Sequence, residues 1–144
     1  MRQINLGIIG TGWCGGIRAV AAAHSPLVDQ LHLAEIDADR LDAIAAETDP
    51  AHTTGRWQDL IENTDLDAIA VSATPEDLHY PMAKAALESG KHVLLEKPMA
   101  DSVEDCEAMI AASQRSGAAL MVAYRMHQDA YMVELADMVA RGVI

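Results

Sequence analysis

Three glycines near the N-terminus have a spacing that suits phosphate binding. Gly10, Gly12 and Gly15 form the pattern G-x-G-x-x-G between an apolar run and an alanine-rich segment. In such a turn one glycine allows a sharp bend, one lets the backbone approach a pyrophosphate, and one lets a helix pack closely on a strand. The phosphates would lie on N–H groups at the helix N-terminus, where the helix dipole favours negative charge. The residues expected around them are Gly10, Thr11, Gly12, Trp13, Cys14 and Gly15.

A carboxylate follows the glycines at the distance expected of a dinucleotide site. Glu35 lies 20 positions after Gly15, at the end of a second apolar run, and Asp37 is the second candidate. An acid at this place accepts hydrogen bonds from an adenosine ribose and repels a 2′-phosphate. No arginine lies within Glu35–Asp39, so the sequence predicts NAD rather than NADP; Arg40 is interpreted as a solvated helix residue that could reach the adenine edge. The alternative is that acids simply cluster where a strand meets solvent.

Two further strand ends carry polar residues beside a proline. The first reads Ser72-Ala73-Thr74-Pro75 and the second reads Glu96-Lys97-Pro98. In an open parallel sheet the ligand crevice lies outside the carboxyl ends of the strands, and each proline restricts the residue before it to an extended conformation. Lys97 is the ammonium best placed to meet a substrate oxygen and a nicotinamide, as an acid or as an electrostatic anchor. The alternative is a surface ion pair with Glu96 that contributes little.

The elements that must position these residues alternate regularly. Short apolar runs separated by helical stretches predict an α/β fold, a doubly wound and mostly parallel Rossmann sheet with order 3-2-1-4-5-6 and helices on both faces. The predicted strands are Ile4–Ile9, Leu31–Ile36, a weak Asp49–Thr54, Ala68–Ser72, His92–Leu95 and Ala118–Ala123. The predicted helices are Cys14–His24, Asp39–Glu47, Trp57–Glu62, Pro81–Ser89, one from the N-cap Ser102 to Ser116, and Asp129–Arg141. Gly90 and Gly117 would close two of them.

Composition limits the classes of protein to which the chain can belong. Its 144 residues suit one domain, and no run approaches the roughly 18 apolar residues of a membrane span. The net charge of −12 argues against nucleic acid or an anionic membrane as a partner. Cys14 and Cys106 lie 92 positions apart, without metal or disulfide spacing, and suit a reducing compartment. We therefore expect a cytoplasmic protein without a metal site.

Five segments together resemble the N-terminal half of the glucose-fructose oxidoreductase, inositol dehydrogenase and MocA family. They are GIIGTGWCGG, AEID, SATPEDLH, GKHVLLEKPMA and AYRMHQDAY, and the resemblance runs over essentially all 144 residues. Its most specific parts are Ala73-Thr74-Pro75 with His79 and the Glu96-Lys97-Pro98 triplet. The resemblance implies an NAD(P)-dependent oxidation or reduction of a CH–OH carbon on a sugar, an inositol or a similar polyol.

The resemblance also implies roles for single residues. Lys97 would be catalytic, contacting the substrate hydroxyl and the nicotinamide region, and the peptide bond between Lys97 and Pro98 would be cis. For His79 a structural role at the loop and helix start ranks above proton transfer. Arg125 and His127 would either bind substrate hydroxyls or anchor the connection to a second domain. The implied cofactor-crevice residues are Ala73, Thr74, Pro75, His79, Glu96, Lys97 and Pro98.

By the same resemblance, residues 1–144 form an NAD(P)-binding domain, with about residues 125–144 leading toward a second, substrate domain. In the family that domain supplies an aspartate and a histidine for proton transfer, most substrate contacts and the usual dimer surface. We therefore expect dinucleotide binding without complete catalysis, and a homo-oligomer is an open possibility. The chain is then either a domain of an ordinary dehydrogenase or a stand-alone NAD-binding module, such as a redox sensor or a subunit that needs a partner. A methyltransferase ranks lower, because it has no use for Glu96-Lys97-Pro98.

Overall fold

The computed structural model describes residues 2–144 and contains one six-stranded sheet. Every adjacent pair of strands is parallel, and the strand order is 3-2-1-4-5-6. The predicted doubly wound topology is therefore confirmed. The strands are β1 (Ile4–Ile9), β2 (Val28–Ala34), β3 (His52–Thr54), β4 (Ala68–Val71), β5 (His92–Leu95) and β6 (Leu120–Val122).

Helices connect successive strands, and several begin or end at the expected capping residues. They are α1 (Trp13–Ala23), α2 (Ala38–Thr48), α3 (Trp57–Glu62), α4 (His79–Glu88), α5 (Val103–Ser116) and α6 (Ala130–Ala140), with 3₁₀ turns at Glu76–Leu78 and Arg125–Gln128. The Ser102 hydroxyl accepts from the Asp105 N–H at 3.1 Å, which confirms the predicted cap of α5. Gly117 closes that helix with a left-handed φ of 75°.

Several element boundaries differ from the sequence prediction, and those of β2 and α4 bear most on the site. β2 begins at Val28 rather than Leu31, because the exposed Asp29 and Gln30 extend the strand along β1, where Asn5 pairs with Gln30. It ends at Ala34, because the chain must turn at once for Asp37 to cap α2. The helix predicted from Pro81 begins instead at His79, directly after the 3₁₀ turn.

The sheet buries apolar side chains on both faces. Ile8 and Ile9 are neighbours on β1 and therefore point to opposite faces. Ile9 packs in a cluster formed with α3, α4 and α5, whose fully buried members include Leu60, Ile69, Val71, Leu87, Leu95 and Met109. Ile8 packs in a second cluster with α1 and α2, which includes Ala19, Leu33, Leu41, Ile44 and Ala70. Helices thus cover both faces, as predicted, but no residue of α6 is buried.

Candidate functional site

Two clefts open at the carboxyl edge of the sheet, on either side of the start of α1. The cleft beside β2, called the β2 cleft, measures about 280 Å³, and its lining includes Gly10, Gly12, Glu35, Ile36, Asp37, Arg40, Trp57, Ala73 and Thr74. The cleft beside β5, called the β5 cleft, measures about 470 Å³ and is lined by Trp13, Cys14, Ile17, Arg18, Glu96, Lys97, Ala123, Tyr124, Arg125 and Met126. Of the six residues of the predicted phosphate turn, Gly10 and Gly12 line the β2 cleft and Trp13 and Cys14 line the β5 cleft, whereas Thr11 and Gly15 are buried and line neither.

The outer glycines of the turn are required by close packing. A Cβ on Gly15 would lie 1.8 Å from the Gly10 carbonyl oxygen, so no larger residue fits where α1 crosses the turn. Gly10 has φ +81°, and a Cβ there would lie 2.7 Å from the Ala73 Cα. These two glycines therefore hold α1 against β1 and β4, as the pattern predicts.

Gly12 differs from both, because space rather than protein surrounds it. A Cβ added to Gly12 would meet no atom within 4 Å. Gly12 is the N-cap of α1, no side chain caps this helix, and its first turn carries no acidic residue. The first N–H groups of α1 are consequently available to an external anion. By contrast, side chains of Asp37, Ser102 and Asp129 cap α2, α5 and α6.

Glu35 joins the end of β2 to the glycine turn. Its side chain is buried, and its Oε2 accepts from the Thr11 N–H at 2.7 Å and from the Thr11 hydroxyl at 3.1 Å. Its Oε1 accepts from the Asp37 N–H at 3.2 Å. A carboxylate oxygen has about two acceptor sites, so Oε1 retains capacity for one further donor.

The hydrogen bonds also fix the charge of this group. Burial alone would raise the pKa of the Glu35 carboxyl, but the bonds donated by Thr11 and Asp37, with the nearby Arg40 cation, outweigh burial and lower it. Glu35 is therefore a carboxylate at neutral pH. A fixed negative charge with one free acceptor site faces the β2 cleft.

Arg40 lies closer to this carboxylate than the sequence suggested. Its guanidinium is 3.6 Å from Glu35 Oε2 and 3.5 Å from Asp37 Oδ2, and it lines the β2 cleft. Arg40 directly follows the Glu35–Asp39 segment, which contains no arginine. The Arg40 side chain is about half exposed, as expected of a solvated helix residue, and one turn of α2 also brings its cation beside the acid.

Lys97 lines the β5 cleft with an exposed side chain. Within residues 2–144 its ammonium has no hydrogen-bond or ion-pair partner. The alternative of an ion pair with Glu96 is not realised, because the Glu96 carboxylate pairs with Arg18 instead. The cleft thus presents a free ammonium beside an acid that is already neutralised.

Arg18 was not among the predicted site residues. It is mostly buried, and it reaches Ser72 Oγ at 3.2 Å while pairing with Glu96 from a position 78 residues earlier. It is the one charged residue in α1, which is otherwise composed of glycine, aliphatic, cysteine and tryptophan residues. A lone charge in such a helix was the signal that could have identified it.

The two proline turns meet at His79. The peptide bonds between Lys97 and Pro98 and between Thr74 and Pro75 are both cis; the resemblance implied only the first. His79 is 1% exposed, and its ring nitrogens contact the backbone oxygens of Ala73 and Pro98. Pro75, His79 and Pro98 line neither cleft, whereas Ala73 and Thr74 line the β2 cleft.

The structure separates the two predicted substrate residues. Arg125 lines the β5 cleft, whereas His127 lies beside a shallow depression formed with Met126, Met132, Val133 and Ala136. The His127 ring stacks on Tyr124, with ring centroids 6.2 Å apart. Arg125 is therefore the better placed of the two to touch a ligand in the β5 cleft.

Two features are absent from residues 2–144: a cluster of metal ligands and a helix able to cross a membrane. No group of three or more histidine, cysteine and acidic side chains in this part of the chain could hold a metal ion. No helix in the same range has the length and apolar character needed to cross a membrane.

The sequence matches a family model. A model described as an oxidoreductase family with an NAD-binding Rossmann fold matches residues 4–124. Levoglucosan dehydrogenase from Pseudarthrobacter phenanthrenivorans is 29% identical over 152 residues, which cover 100% of this chain and 39% of that protein. The NADP(+)-dependent D-xylose 1-dehydrogenase of Haloarcula marismortui is 30% identical, covering 98% of this chain and 40% of the relative.

A solved structure extends this comparison to the fold. Scyllo-inositol dehydrogenase from Lactobacillus casei, determined with NAD(H) and scyllo-inositol, superposes with a TM-score of 0.91 at 23% identity. The match covers 99% of this chain and 42% of that one. The chain spans 39–42% of the length of the first five curated relatives.

Proposed function

The chain belongs to the glucose-fructose oxidoreductase, inositol dehydrogenase and MocA family of oxidoreductases and contains its NAD-binding Rossmann domain, and on that premise we propose that it binds NAD across both clefts. The observation that carries the proposal is the uncapped start of α1 between the two clefts. The pyrophosphate would lie on its free N–H groups, with adenosine in the β2 cleft and nicotinamide in the β5 cleft. The proposed pyrophosphate contacts are Gly10, Thr11, Gly12, Trp13, Cys14 and Gly15.

The adenosine end supports a preference for NAD over NADP. Glu35 Oε1 keeps one acceptor site for a ribose hydroxyl, and its fixed negative charge opposes a 2′-phosphate. Arg40 acts against this preference, because the same guanidinium could turn from Glu35 toward a phosphate. The family gives no guidance here, since D-xylose 1-dehydrogenase uses NADP(+) and scyllo-inositol dehydrogenase binds NAD(H). We propose that the hydrogen-bonded carboxylate decides in favour of NAD.

The reaction proposed for the whole protein is oxidation of a CH–OH group on a sugar, inositol or related polyol. NAD, when bound, accepts a hydride from the carbon. The Lys97 ammonium has no hydrogen-bond or ion-pair partner within residues 2–144, and we assign it to the substrate hydroxyl, where a cation stabilises the oxygen as its proton passes to a base that the substrate half would supply. Arg125, in the same cleft, is the proposed contact to a second substrate oxygen, with His127 as the weaker candidate.

Supporting roles fall to residues around Lys97. Glu96 and Arg18 form an ion pair at the floor of the β5 cleft, and they hold the strand end from which Lys97 projects. Ala73 and Thr74 are proposed to pack along the cofactor in the β2 cleft. Pro75, His79 and Pro98 would fix the backbone of the two turns from behind.

A second candidate function is a dinucleotide-binding subunit that takes its substrate half from another chain. The observation that favours it is α6, which buries none of its residues although Val133, Leu135 and Val139 are apolar. The substrate half would cover the apolar face of α6 whether it belongs to the same chain or to another one. Sedimentation of the 144-residue chain discriminates: a strict monomer that neither binds NADH nor associates with another protein counts against the subunit.

The central test is an NADH titration of the 144-residue chain, followed by energy transfer from tryptophan to the reduced nicotinamide. We expect saturable binding, and we expect Gly12→Val to abolish it without loss of helix content, because the added atoms occupy only the space reserved for phosphate. Gly16→Ala is the matched control, since its Cβ would make an ordinary contact 3.4 Å from the Thr11 oxygen. Equal NADH affinity in the wild type and Gly12→Val would contradict the proposed phosphate site.

A further inference from the structure

The β5 cleft concentrates positive charge on a strongly acidic chain. The whole chain has 22 acidic residues against 10 lysines and arginines. Among the ten residues that line the cleft the balance is reversed, because three are bases, Arg18, Lys97 and Arg125, and one is an acid, Glu96. A cleft lined by one sign of charge attracts ligands of the other sign.

Pairing within the cleft neutralises only one of its three cations. Arg18 forms its ion pair with Glu96, so these two charges cancel. Within residues 2–144, neither Lys97 nor Arg125 donates a side-chain hydrogen bond or forms an ion pair. Two positive charges of the cleft are therefore left without a counter-ion in this part of the chain.

The two unpaired cations follow neighbouring strand ends. β5 and β6 are parallel partners, with Leu95 opposite Val122. Lys97 lies two residues after Leu95. Arg125 lies three residues after Val122 and begins the second 3₁₀ turn. Because paired strands lie about 4.8 Å apart, both side chains can contact one small molecule in the cleft.

The chemistry of the two cations indicates two different kinds of substrate oxygen. Lys97 is already assigned to the hydroxyl of the reacting carbon. The Arg125 guanidinium carries five N–H donors in one plane and no acceptor, and the partners that match this geometry with two hydrogen bonds are carboxylates and phosphates. A neutral hydroxyl would leave the charge of Arg125 without a counter-ion once a substrate half covers the cleft, and a covered, unpaired charge is costly. One guanidinium matches the single charge of a carboxylate, whereas a phosphate ester carries about two charges.

We infer that the substrate is a polyhydroxy acid, a sugar or polyol chain that carries a carboxylate, and that Arg125 selects the acid. The inference rests on the proposed function for the role of Lys97 and adds the class of substrate. Trp13 and Tyr124 line the same cleft and are 83% and 52% exposed. Their rings offer apolar surface to the C–H groups of such a chain.

The test compares D-gluconate with D-glucitol, which has the same carbon chain and no charge. Each is titrated at constant ionic strength into the ¹⁵N-labelled 144-residue chain saturated with NADH, so that the proposed phosphate site is already occupied. The indole N–H of Trp13 reports on the β5 cleft, and that of Trp57, in the β2 cleft, is the internal reference. We expect gluconate to bind at least about tenfold more tightly than glucitol. Equal binding of the two ligands, or no binding of gluconate, overturns the inference.

Variants of Arg125 test the residue itself. Arg125→Gln removes the charge, and we expect the preference for gluconate over glucitol to disappear. Arg125→Lys keeps the charge without the planar geometry, so part of the preference should remain. Arg115→Gln is the matched control, since Arg115 is an exposed arginine of α5 that lines neither cleft. A preference for gluconate that persists in Arg125→Gln contradicts the role of Arg125.

Two further measurements separate this inference from its alternatives. Tighter binding of D-glucitol phosphate than of gluconate would assign the site to a phosphate and contradict the carboxylate. A loss of NADH affinity of about tenfold in Arg125→Gln would place Arg125 on the cofactor and overturn the inference as well. The NADH titration tests the proposed function separately. A chain that binds NADH without distinguishing gluconate from glucitol overturns only the substrate class, whereas a chain that binds no NADH overturns the proposed function.

Discussion

The two clefts use their charged residues differently. In the β2 cleft, Glu35 is buried and accepts three hydrogen bonds from its own chain, so its charge and orientation are fixed. In the β5 cleft, Lys97 projects without a partner within residues 2–144, beside Trp13 and Tyr124, which are 83% and 52% exposed. The charged group of the β2 cleft is therefore held in place by the fold, whereas that of the β5 cleft is exposed and not held by the fold.

Under the proposed function, this difference separates a cleft that binds the nucleotide from a cleft that carries the chemistry. A preorganised carboxylate and an uncapped helix can hold a nucleotide without help from other parts of a protein, because no reorganisation precedes binding. An exposed ammonium beside aromatic residues acts only when a substrate is held against it. We expect changes at Glu35 and in the glycine turn to affect folding and affinity, and truncation of Lys97 to spare both.

The largest effect should follow Gly15→Val. The Cβ alone would lie 1.8 Å from the Gly10 oxygen, so α1 must move off the sheet, and we expect a loss of at least about 3 kcal/mol in unfolding free energy. Urea denaturation measures it. Gly12→Val, three residues earlier, is the matched variant and should unfold at nearly the wild-type urea concentration. Similar losses of unfolding free energy in Gly15→Val and Gly12→Val would show that both glycines are needed for packing and that Gly12 does not leave space for a ligand.

A smaller effect is expected at the adenosine end. Glu35→Gln removes the charge that opposes a 2′-phosphate and weakens the ribose contact, so the ratio of NADPH to NADH dissociation constants should fall about tenfold. Parallel titrations with the two nucleotides give this ratio. Asp39→Asn, an exposed acid on the same helix, is the control and should leave it unchanged. A wild-type chain that binds NADPH as well as NADH would contradict the role given to Glu35.

The same carboxylate predicts a modest acid sensitivity. Its hydrogen bonds hold the pKa below the usual value of 4.5, so ionised Glu35 stabilises the fold above that pH, and the contribution is lost as pH falls through the lowered pKa. The unfolding free energy of the wild type should exceed that of Glu35→Gln by on the order of 1 kcal/mol at neutral pH, and this difference should disappear in acid. Unfolding curves recorded across this range test it. If the difference in unfolding free energy did not change with pH, the shape of the Glu35 side chain rather than its charge would stabilise the fold.

The smallest effect on affinity is expected for Lys97→Ala. Because the ammonium has no hydrogen-bond or ion-pair partner within residues 2–144, NADH affinity of the chain should change by no more than about twofold. The same substitution in a protein that carries the substrate half should abolish turnover. A tenfold loss of NADH affinity would place Lys97 on the cofactor and weaken the contrast between the clefts.

The sequence was sufficient for the topology because the relevant signals are local. Alternating apolar runs and helical stretches define six parallel strands, and the crossover rule leaves the order 3-2-1-4-5-6, which the structure confirms. Ser102 and Gly117 likewise mark the ends of α5 through their own backbone preferences. Even the acid at the end of β2 was identifiable from its distance to the glycines.

Contacts between distant segments could not be inferred in this way. The pairing of Arg18 with Glu96 spans 78 residues and depends on how α1 crosses the sheet. The proximity of Arg40 to Glu35 depends on where α2 begins. The helix begins at Ala38, one residue before the predicted start at Asp39. The ring of His79 contacts the Pro98 turn only because β4 and β5 are neighbours. Each of these arises from packing rather than from a local pattern.

If a dinucleotide binds at the uncapped start of α1 as proposed, the supply of that cofactor would affect the lifetime of the folded chain. A ligand that binds only the folded form adds RT ln(1 + [L]/Kd) to its stability, or about 2.7 kcal/mol at a hundredfold excess over Kd. Proteases that attack the transiently unfolded chain would then cut it about a hundred times more slowly when dinucleotide is abundant. The same backbone groups that await a phosphate would make the abundance of the protein follow that of its cofactor.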